Sequence, residues 1–220
     1  ANIHLVNLKN KTISITGVNG FIATYMIRTL LRADKTFNLN LKVISIIRKE
    51  SSSKITHKKL KVIKIDLFKK IPKNLPKIDM MIHAASKASP KLFKNHSIDI
   101  IKTNSLATMH LLDYAIKFSE KFLYISSGEI YGKLDNSDIS IKEDTYGSIN
   151  HLNDRSVYAE SKKMGEAICQ AYSQKSNCKV LIARPFHTYG PGINLNDGRV
   201  FADLVNSVVN KKDIILNSTG

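Results

Sequence analysis

A short β-branched run, Thr12-Ile13-Ser14-Ile15-Thr16, ends directly on a glycine turn, Gly17-Val18-Asn19-Gly20, and an apolar segment of helical spacing starts at Phe21. This order of strand, glycine turn and helix constrains the chain more than any other stretch. Gly17, Gly20 and Ala23 fit the form G-x-x-G-x-x-A. In such a turn the first glycine permits the tight bend. The second lets the backbone approach a pyrophosphate, and the small third residue lets helix and strand pack closely. The helix N-terminus then offers free N–H groups and the positive end of its dipole to the phosphates. The same glycines would also serve an ordinary strand-to-helix turn. Strand, turn and helix together point to a dinucleotide cradle made by Gly17, Asn19, Gly20, Phe21 and Ile22.

The rest of the chain repeats the alternation. Patterning predicts strands over 12–16, 42–47, 61–65, 80–83, 121–126 and 179–183, and helices over 21–32, 98–117 and 157–173. Strands alternating with helices imply an α/β fold with a parallel, doubly wound sheet of Rossmann type. Residues 1–184 read as the dinucleotide-binding domain and 185–220 as the start of a truncated substrate lobe. The latter holds a turn-rich stretch, 187–192, an amphipathic helix over 201–209 and the beginning of a strand at Ile214-Ile215-Leu216. No internal repeat or low-complexity linker interrupts the pattern.

Three further positions carry chemistry. Tyr158 and Lys162 are four apart and share a helical face. A tyrosine of ordinary pKa near 10 is no base at neutral pH, and a nearby ammonium is expected to lower that value. Ser127, at the end of the fifth strand, is placed to hydrogen-bond a reacting oxygen. Glu129, two residues on, would serve proton abstraction or water handling beside a ketone, or else cap a turn. At the end of the second strand a carboxylate would take the ribose 2′-hydroxyl of NAD. Arg48 stands there instead and leans toward the 2′-phosphate of NADP, unless it is a solvated strand-end arginine. Asp66 and Leu67 are expected beside the adenine, although Asp66 would equally cap a turn. Ala84, Ala85 and Ser86 after the fourth strand, Asn104 in the long helix, and Arg184 and Pro185 after the sixth strand complete the expected cofactor contacts.

The formal net charge of +16 raises the question of nucleic acid. Six of the 34 basic residues are arginine (Arg28, Arg32, Arg48, Arg155, Arg184 and Arg199), and the others are lysine. Surfaces that read bases or clamp phosphates favour arginine's planar fork, and these lysines are spread along the chain. No nucleic-acid partner is therefore expected, whereas a positive field attracts an anionic sugar nucleotide. No apolar run approaches the roughly 20 residues that span a bilayer, and the first residues show no signal pattern, so a cytoplasmic protein is expected. Cys169 and Cys178 are too few for a disulfide framework and lack metal-site spacing, which predicts reduced, inert thiols and no metal.

The ordered motifs Thr16 to Ala23, Ile125 to Gly132 and Tyr158 to Lys162 resemble the extended short-chain dehydrogenase/reductase family, the epimerases, dehydratases and decarboxylases of sugar nucleotides. The resemblance is nearest to UDP-glucuronate decarboxylases and dTDP-glucose 4,6-dehydratases. It extends to Ala88-Ser89-Pro90, to Glu143-Asp144-Thr145-Tyr146-Gly147, to Arg155 shortly before Tyr158, and to Asn196-Asp197-Gly198-Arg199-Val200. It implies transient oxidation of a sugar C4 hydroxyl by bound NAD, loss of CO₂ or water, and return of the hydride. On that basis Tyr158 is the base, Lys162 its partner, Ser127 the hydroxyl donor and Glu129 an auxiliary carboxylate. Ser86, Gly128 and His187 would contact substrate, and Arg199 would hold its diphosphate or uridine part. Gly128 departs from the acid of dehydratases and the serine common in decarboxylases. His187 replaces a usual asparagine, and Arg48 replaces the ribose-binding acid. The resemblance also implies a homodimer through the 98–117 and 157–173 helices, and a role in polysaccharide precursor synthesis. An NADP-dependent ketone reductase and a non-catalytic dinucleotide sensor are the competing readings.

Overall fold

The computed structural model describes residues 5, 7–48, 55–134 and 140–215. Six strands form one parallel sheet in the order β3-β2-β1-β4-β5-β6. They are β1 (Thr12–Thr16), β2 (Lys42–Ile47), β3 (Leu60–Lys64), β4 (Met80–His83), β5 (Lys121–Ile125) and β6 (Lys179–Ala183). The helices are α1 (Phe21–Phe37), α2 (Ser97–Asn104), α3 (Leu106–Phe118), α4 (Ser156–Ser173) and α5 (Val200–Val209). The chain order reverses beside β1, so the loops after β1 and β4 part at that point and leave a crevice at the carboxyl ends of the strands.

Strand alternation divides the apolar residues between two cores. Ile13, Ile15, Val43 and Ile82 face Ala23, Ile27 and Leu31 of α1. Ile44, Ile46, Met81, Phe122 and Tyr124 face Ala107, Leu111 and Ala115 of α3 and Cys169 of α4. A sheet covered on both faces explains why its central strands read as near-continuous apolar runs. Both cysteines are free and buried, and burial pushes the Cys169 thiol up to about 12, which makes it a core residue rather than a nucleophile. Among the described residues no helix is long and apolar enough to cross a membrane. No cluster of His, Cys, Asp or Glu there could hold a metal ion.

Three departures from the sequence expectation exceed one residue. Helix α1 runs on to Phe37 because Asp34 is buried with its charge answered. Its carboxylate accepts the Leu41 N–H at 2.7 Å and pairs with Lys59 Nζ at 2.6 Å. Asn38, at φ 47°, then closes the helix in the left-handed region. The expected 98–117 helix is two helices, broken at Ser105 (φ −112°, ψ −71°). The cause is the Asn104 carbonyl, which accepts hydrogen bonds from the Thr108 hydroxyl at 2.8 Å and the Tyr124 hydroxyl at 3.3 Å. The expected strand at 214–216 does not form at Ile214 and Ile215, and Leu216 lies outside the described residues.

Gly165 sits where α4 crosses that break. A Cβ there would collide with the Tyr124 hydroxyl and lie 2.7 Å from the Asn104 carbonyl oxygen. Gly165→Ala is therefore expected to cost about 1–3 kcal/mol of stability, as overpacking does. A lower urea midpoint at unchanged m-value measures it.

Candidate active site

Two cavities adjoin the sheet. One, about 750 Å³, lies against α1 and the sheet and is lined almost wholly by apolar side chains such as Ile13, Met26, Met80 and Leu123. The other, about 1110 Å³, joins the glycine turn, the loops after β4, β5 and β6, and the start of α4. Chemistry needs groups that move protons, and these converge in the second cleft.

The glycine turn forms as its sequence demands. Gly17 has φ 78°, and a Cβ on it would meet the Ala85 backbone at 2.7 Å, so the β1 turn packs directly on the end of β4. The Gly20 N–H bonds the Gly17 carbonyl at 2.8 Å, and Gly20 is the N-cap of α1. Thr16 locks the same corner. Its hydroxyl accepts the N–H groups of Ala84 and Ala85 at 3.1 and 3.0 Å and bonds His83 Nδ1 at 2.8 Å. His83 Nε2 faces the Thr103 carbonyl at 3.1 Å, so that nitrogen carries the proton and Nδ1 accepts from Thr16. Burial, reinforced by the charge of Lys162, holds the His83 pKa down to about 3 and keeps the ring neutral.

Beyond β5 the serine loop is pinned to β6. The Ser126 N–H bonds the Ala183 carbonyl at 2.7 Å and the Gly128 N–H bonds the Pro185 carbonyl at 2.9 Å. Ser127 caps the following 3-10 turn, its hydroxyl accepting the Glu129 N–H at 3.2 Å. A Cβ on Gly128 would lie 2.7 Å from the Phe186 ring, which stacks on Tyr131 at 5.7 Å. The absence of a side chain at Gly128 thus matches the aromatic ring lying over it.

Helix α4 brings Tyr158 and Lys162 to the cleft wall, both buried. The Tyr158 ring stacks on Phe93 at 5.0 Å. Its pKa is raised, not lowered as the sequence suggested: burial dominates, the Ser127 side chain and the Arg199 charge oppose it, and Glu129 adds to the rise. The Lys162 amine donates to the Ile125 carbonyl at 2.6 Å and lies 5.9 Å from the Tyr158 ring centre. Burial brings its pKa down to about 7 against the pull of Cys169 and Glu166, so it is only part-charged at neutral pH.

The remaining expected residues divide. Asn19, Gly20, Phe21, Ile22, Ala84, Ser86, Pro185, Gly128, Glu129, His187 and Arg199 lie on the cleft wall with Ser127, Tyr158 and Lys162. Arg199 is 3.0 Å from Asp197 and donates to the Ala88 carbonyl at 2.9 Å, and Ser89 donates to the Asp197 carbonyl at 2.6 Å. Two sequence-distant marks of the resemblance, 88–90 and 196–200, therefore touch. Arg184 does not line the cleft. Its guanidinium braces α4 to the loop before it, bonding Glu166 at 2.7 to 3.2 Å, the Tyr131 hydroxyl at 3.0 Å and the Glu143 carbonyl. Gly17, Ala85, Asp66, Leu67, Arg48 and Asn104 are also off this wall. Asp66 caps a turn through the Phe68 N–H at 3.1 Å, and Leu67 is buried. Arg48 lies over the Phe68 ring at 5.1 Å and 3.9 Å from Asp99. Asn104 is buried and donates to Ser161 at 2.9 Å.

Sequence reasoning missed Phe93, Phe186, Lys87, Arg28 and Ser126, all on the wall. Phe93 and Phe186 come from loops whose aromatic residues carry no periodic signal. Ser126 had a signal, as the neighbour of Ser127. The hydroxyls of Ser86 and Ser126 and the side-chain Oδ1 of Asn104 are buried with no partner among the described residues. Unpaired buried polar atoms are costly unless something meets them. Together with the cradle at Gly17 they fit a polar dinucleotide, with Ser86 and Ser126 as its contacts from the loops after β4 and β5.

Lys162 has a measurable signature. Between pH 7 and 10.5 the unfolded chain keeps a proton that the folded chain has released, so this group makes stability rise with pH across that window. Chemical denaturation at about pH 7 and about pH 9.5 checks it: wild type should gain more stability than Lys162→Met on going to the higher pH.

Residues 13–220 match the model of the NAD dependent epimerase/dehydratase family. UDP-glucuronic acid decarboxylase 1 of Arabidopsis thaliana is 30% identical over 217 residues, which are 98% of this chain and 48% of that protein. UDP-glucuronic acid decarboxylase 1 of Xenopus tropicalis is 27% identical over 96% of this chain and 49% of its own length. The chain thus spans about half the length of these relatives. Among solved structures, UDP-N-acetylglucosamine 4-epimerase from Methanobrevibacter ruminantium, in complex with UDP-N-acetylmuramic acid, superposes with a TM-score of 0.81 at 22% identity, covering 96% of this chain and 67% of that one. UDP-glucuronic acid 4-epimerase from Bacillus cereus, in complex with UDP-glucuronic acid and NAD, gives 0.74 at 21% identity over 95% of this chain and 66% of that one. These two likenesses show the fold. The family match runs through the glycine turn, the serine loop and the tyrosine–lysine helix without interruption, and on that ground the chain belongs to the NAD dependent epimerase/dehydratase family.

Proposed function

We propose that the whole protein is an NAD-dependent enzyme acting on a nucleotide sugar, of the UDP-glucuronate decarboxylase kind. The observation that carries this reading is the meeting of Ser127, Glu129, Tyr158 and Lys162 in one cleft with the glycine turn. The relatives at 30% and 27% identity carry that activity in their names.

Bound NAD⁺ would supply a hydride acceptor that later returns the hydride. Tyr158 takes the proton from the sugar C4 hydroxyl. Burial alone disfavours its phenolate, so the proton must pass on or be balanced by charge, and Lys162, part-protonated at neutral pH, is the nearby group able to do so. Ser127, whose side chain meets Tyr158, holds the reacting oxygen beside it. A ketone at C4 stands β to a carboxylate on C5. The C5–carboxylate bond can therefore break, its electron pair passing to the C4 oxygen as an enolate and CO₂ leaving. Gly128 offers no acid to protonate a departing C6 hydroxyl, and Phe186 covers the place where a side chain would start, which favours decarboxylation over 4,6-dehydration.

We divide the chain at residue 184: the six strands belong to the dinucleotide-binding domain, and 185–220 begins the substrate lobe. We also propose a homodimer packed through α2, α3 and α4. Ile98 and Met164 on these helices are 67% and 55% exposed, and Ile101 and Met109 are exposed beside them, an apolar pattern that favours burial against a second copy.

Tyr158→Phe in the full-length enzyme should lower CO₂ release from UDP-glucuronate by at least about a hundredfold while leaving NAD binding intact. Retained turnover would remove Tyr158 from the role of base, and steady NADPH consumption on a keto substrate would replace the decarboxylase reading with a reductase. Multi-angle light scattering checks the dimer: wild type should run at twice the chain mass and Met164→Glu should shift toward the monomer.

A further inference from the structure

Five cationic side chains line the cleft, Arg28, Lys87, Arg155, Lys162 and Arg199. Four are committed or remote from the reacting groups. Lys162 is buried and donates to the Ile125 carbonyl. Lys87 is paired with Asp99 at 2.8 Å. Arg199 is held by Asp197 and the Ala88 carbonyl. Arg28 lies on α1, on the glycine-turn side. Arg155 differs. Among the described residues its side chain has one partner, Glu129, with Nη2 to Oε1 at 3.2 Å. Both side chains are half-exposed, so exchanging one carboxylate for another at this guanidinium costs little desolvation.

The position matters as much as the pairing. Arg155 is the N-cap of α4, three residues before Tyr158, and Glu129 stands two residues after Ser127. Tyr158 and Ser127 mark where the C4 oxygen reacts, and a hexuronate carries its carboxylate on the neighbouring carbon. That carboxylate must then come close to Glu129, which repels it, unless a cation is at hand. A guanidinium takes two carboxylates or trades one for another through its planar fork.

We propose that Arg155 is a specificity-determining residue that exchanges Glu129 for the carboxylate of a uronate substrate. The cleft then selects acidic over neutral sugar nucleotides, and Glu129 is freed toward the reacting carbon only when an acidic sugar is bound. This rests on the nucleotide-sugar reading above.

Calorimetric titration of the full-length protein with UDP-glucuronate and with UDP-glucose tests it. Arg155→Leu should weaken UDP-glucuronate roughly tenfold or more while UDP-glucose changes less than about twofold. Arg155→Lys should restore part of the difference, because it returns the charge without the fork. Equal weakening of both ligands, or no weakening of UDP-glucuronate, overturns the assignment of Arg155 while leaving the nucleotide-sugar reading in place. Binding of neither ligand by wild type overturns the nucleotide-sugar reading itself.

Discussion

The site depends on one close contact, where Gly165 of α4 lies against the Tyr124 hydroxyl and the Asn104 carbonyl. Any larger residue would hold the helix off the sheet. Because Gly165 comes one turn after Ser161 and Lys162, the contact fixes how deep Lys162 reaches, and so brings its amine to the Ile125 carbonyl. The same carbonyl of Asn104 breaks the preceding helix, by accepting from Thr108 and Tyr124. That break turns the Asn104 side chain inward to Ser161, on the helix that carries Tyr158. One missing Cβ thus sets the height of the helix that carries Tyr158 and Lys162, beside the break that turns Asn104 inward.

Around that contact the protein buries groups that titrate and answers them with neutral partners. His83 is neutral between Thr16 and the Thr103 carbonyl. Lys162 is answered by a carbonyl and by the Tyr124 ring at 4.8 Å, not by a carboxylate. A carboxylate there would hold the amine charged. A carbonyl and a ring leave its pKa free to fall under burial, so its proton is available near neutral pH. Tyr158 is buried by the same environment and its pKa moves the other way. Burial therefore drives the two values apart, the tyrosine up and the lysine down, and holds both groups toward their neutral forms. Full charges are paired with one another, Glu129 with Arg155, Arg199 with Asp197 and Arg184 with Glu166.

Much of the fold could be read from residue pattern. Strands β1, β2, β4 and β6 fall on the expected residues because their apolar runs are bounded by charged or turn-forming residues. Reading failed where a long-range partner changed the meaning of a local residue. The expected helix stopped at residue 32, but Lys59 and the Leu41 N–H make Asp34 a buried, satisfied member of α1. Long-range partners also hold Arg184, after β6, whose guanidinium braces Glu166 and Tyr131. The pKa of Tyr158 was misjudged for the same reason: spacing gave the neighbour, Lys162, but not the burial that dominates both groups.

The sequence by itself determined the parallel α/β order, the glycine turn and the identity of Ser127, Glu129, Tyr158 and Lys162. These rest on local rules, namely strand and helix periods, the conformational freedom of Gly17 and a four-residue helical spacing. Only the tertiary structure decided which side chains share the cleft. It paired Arg155 with Glu129 across 26 positions. It brought Ala88 to Arg199 across 111 positions and laid Phe186 over Gly128. Such contacts depend on where strands end in space relative to one another. No local period encodes that, because it follows from how the two cores close on the sheet.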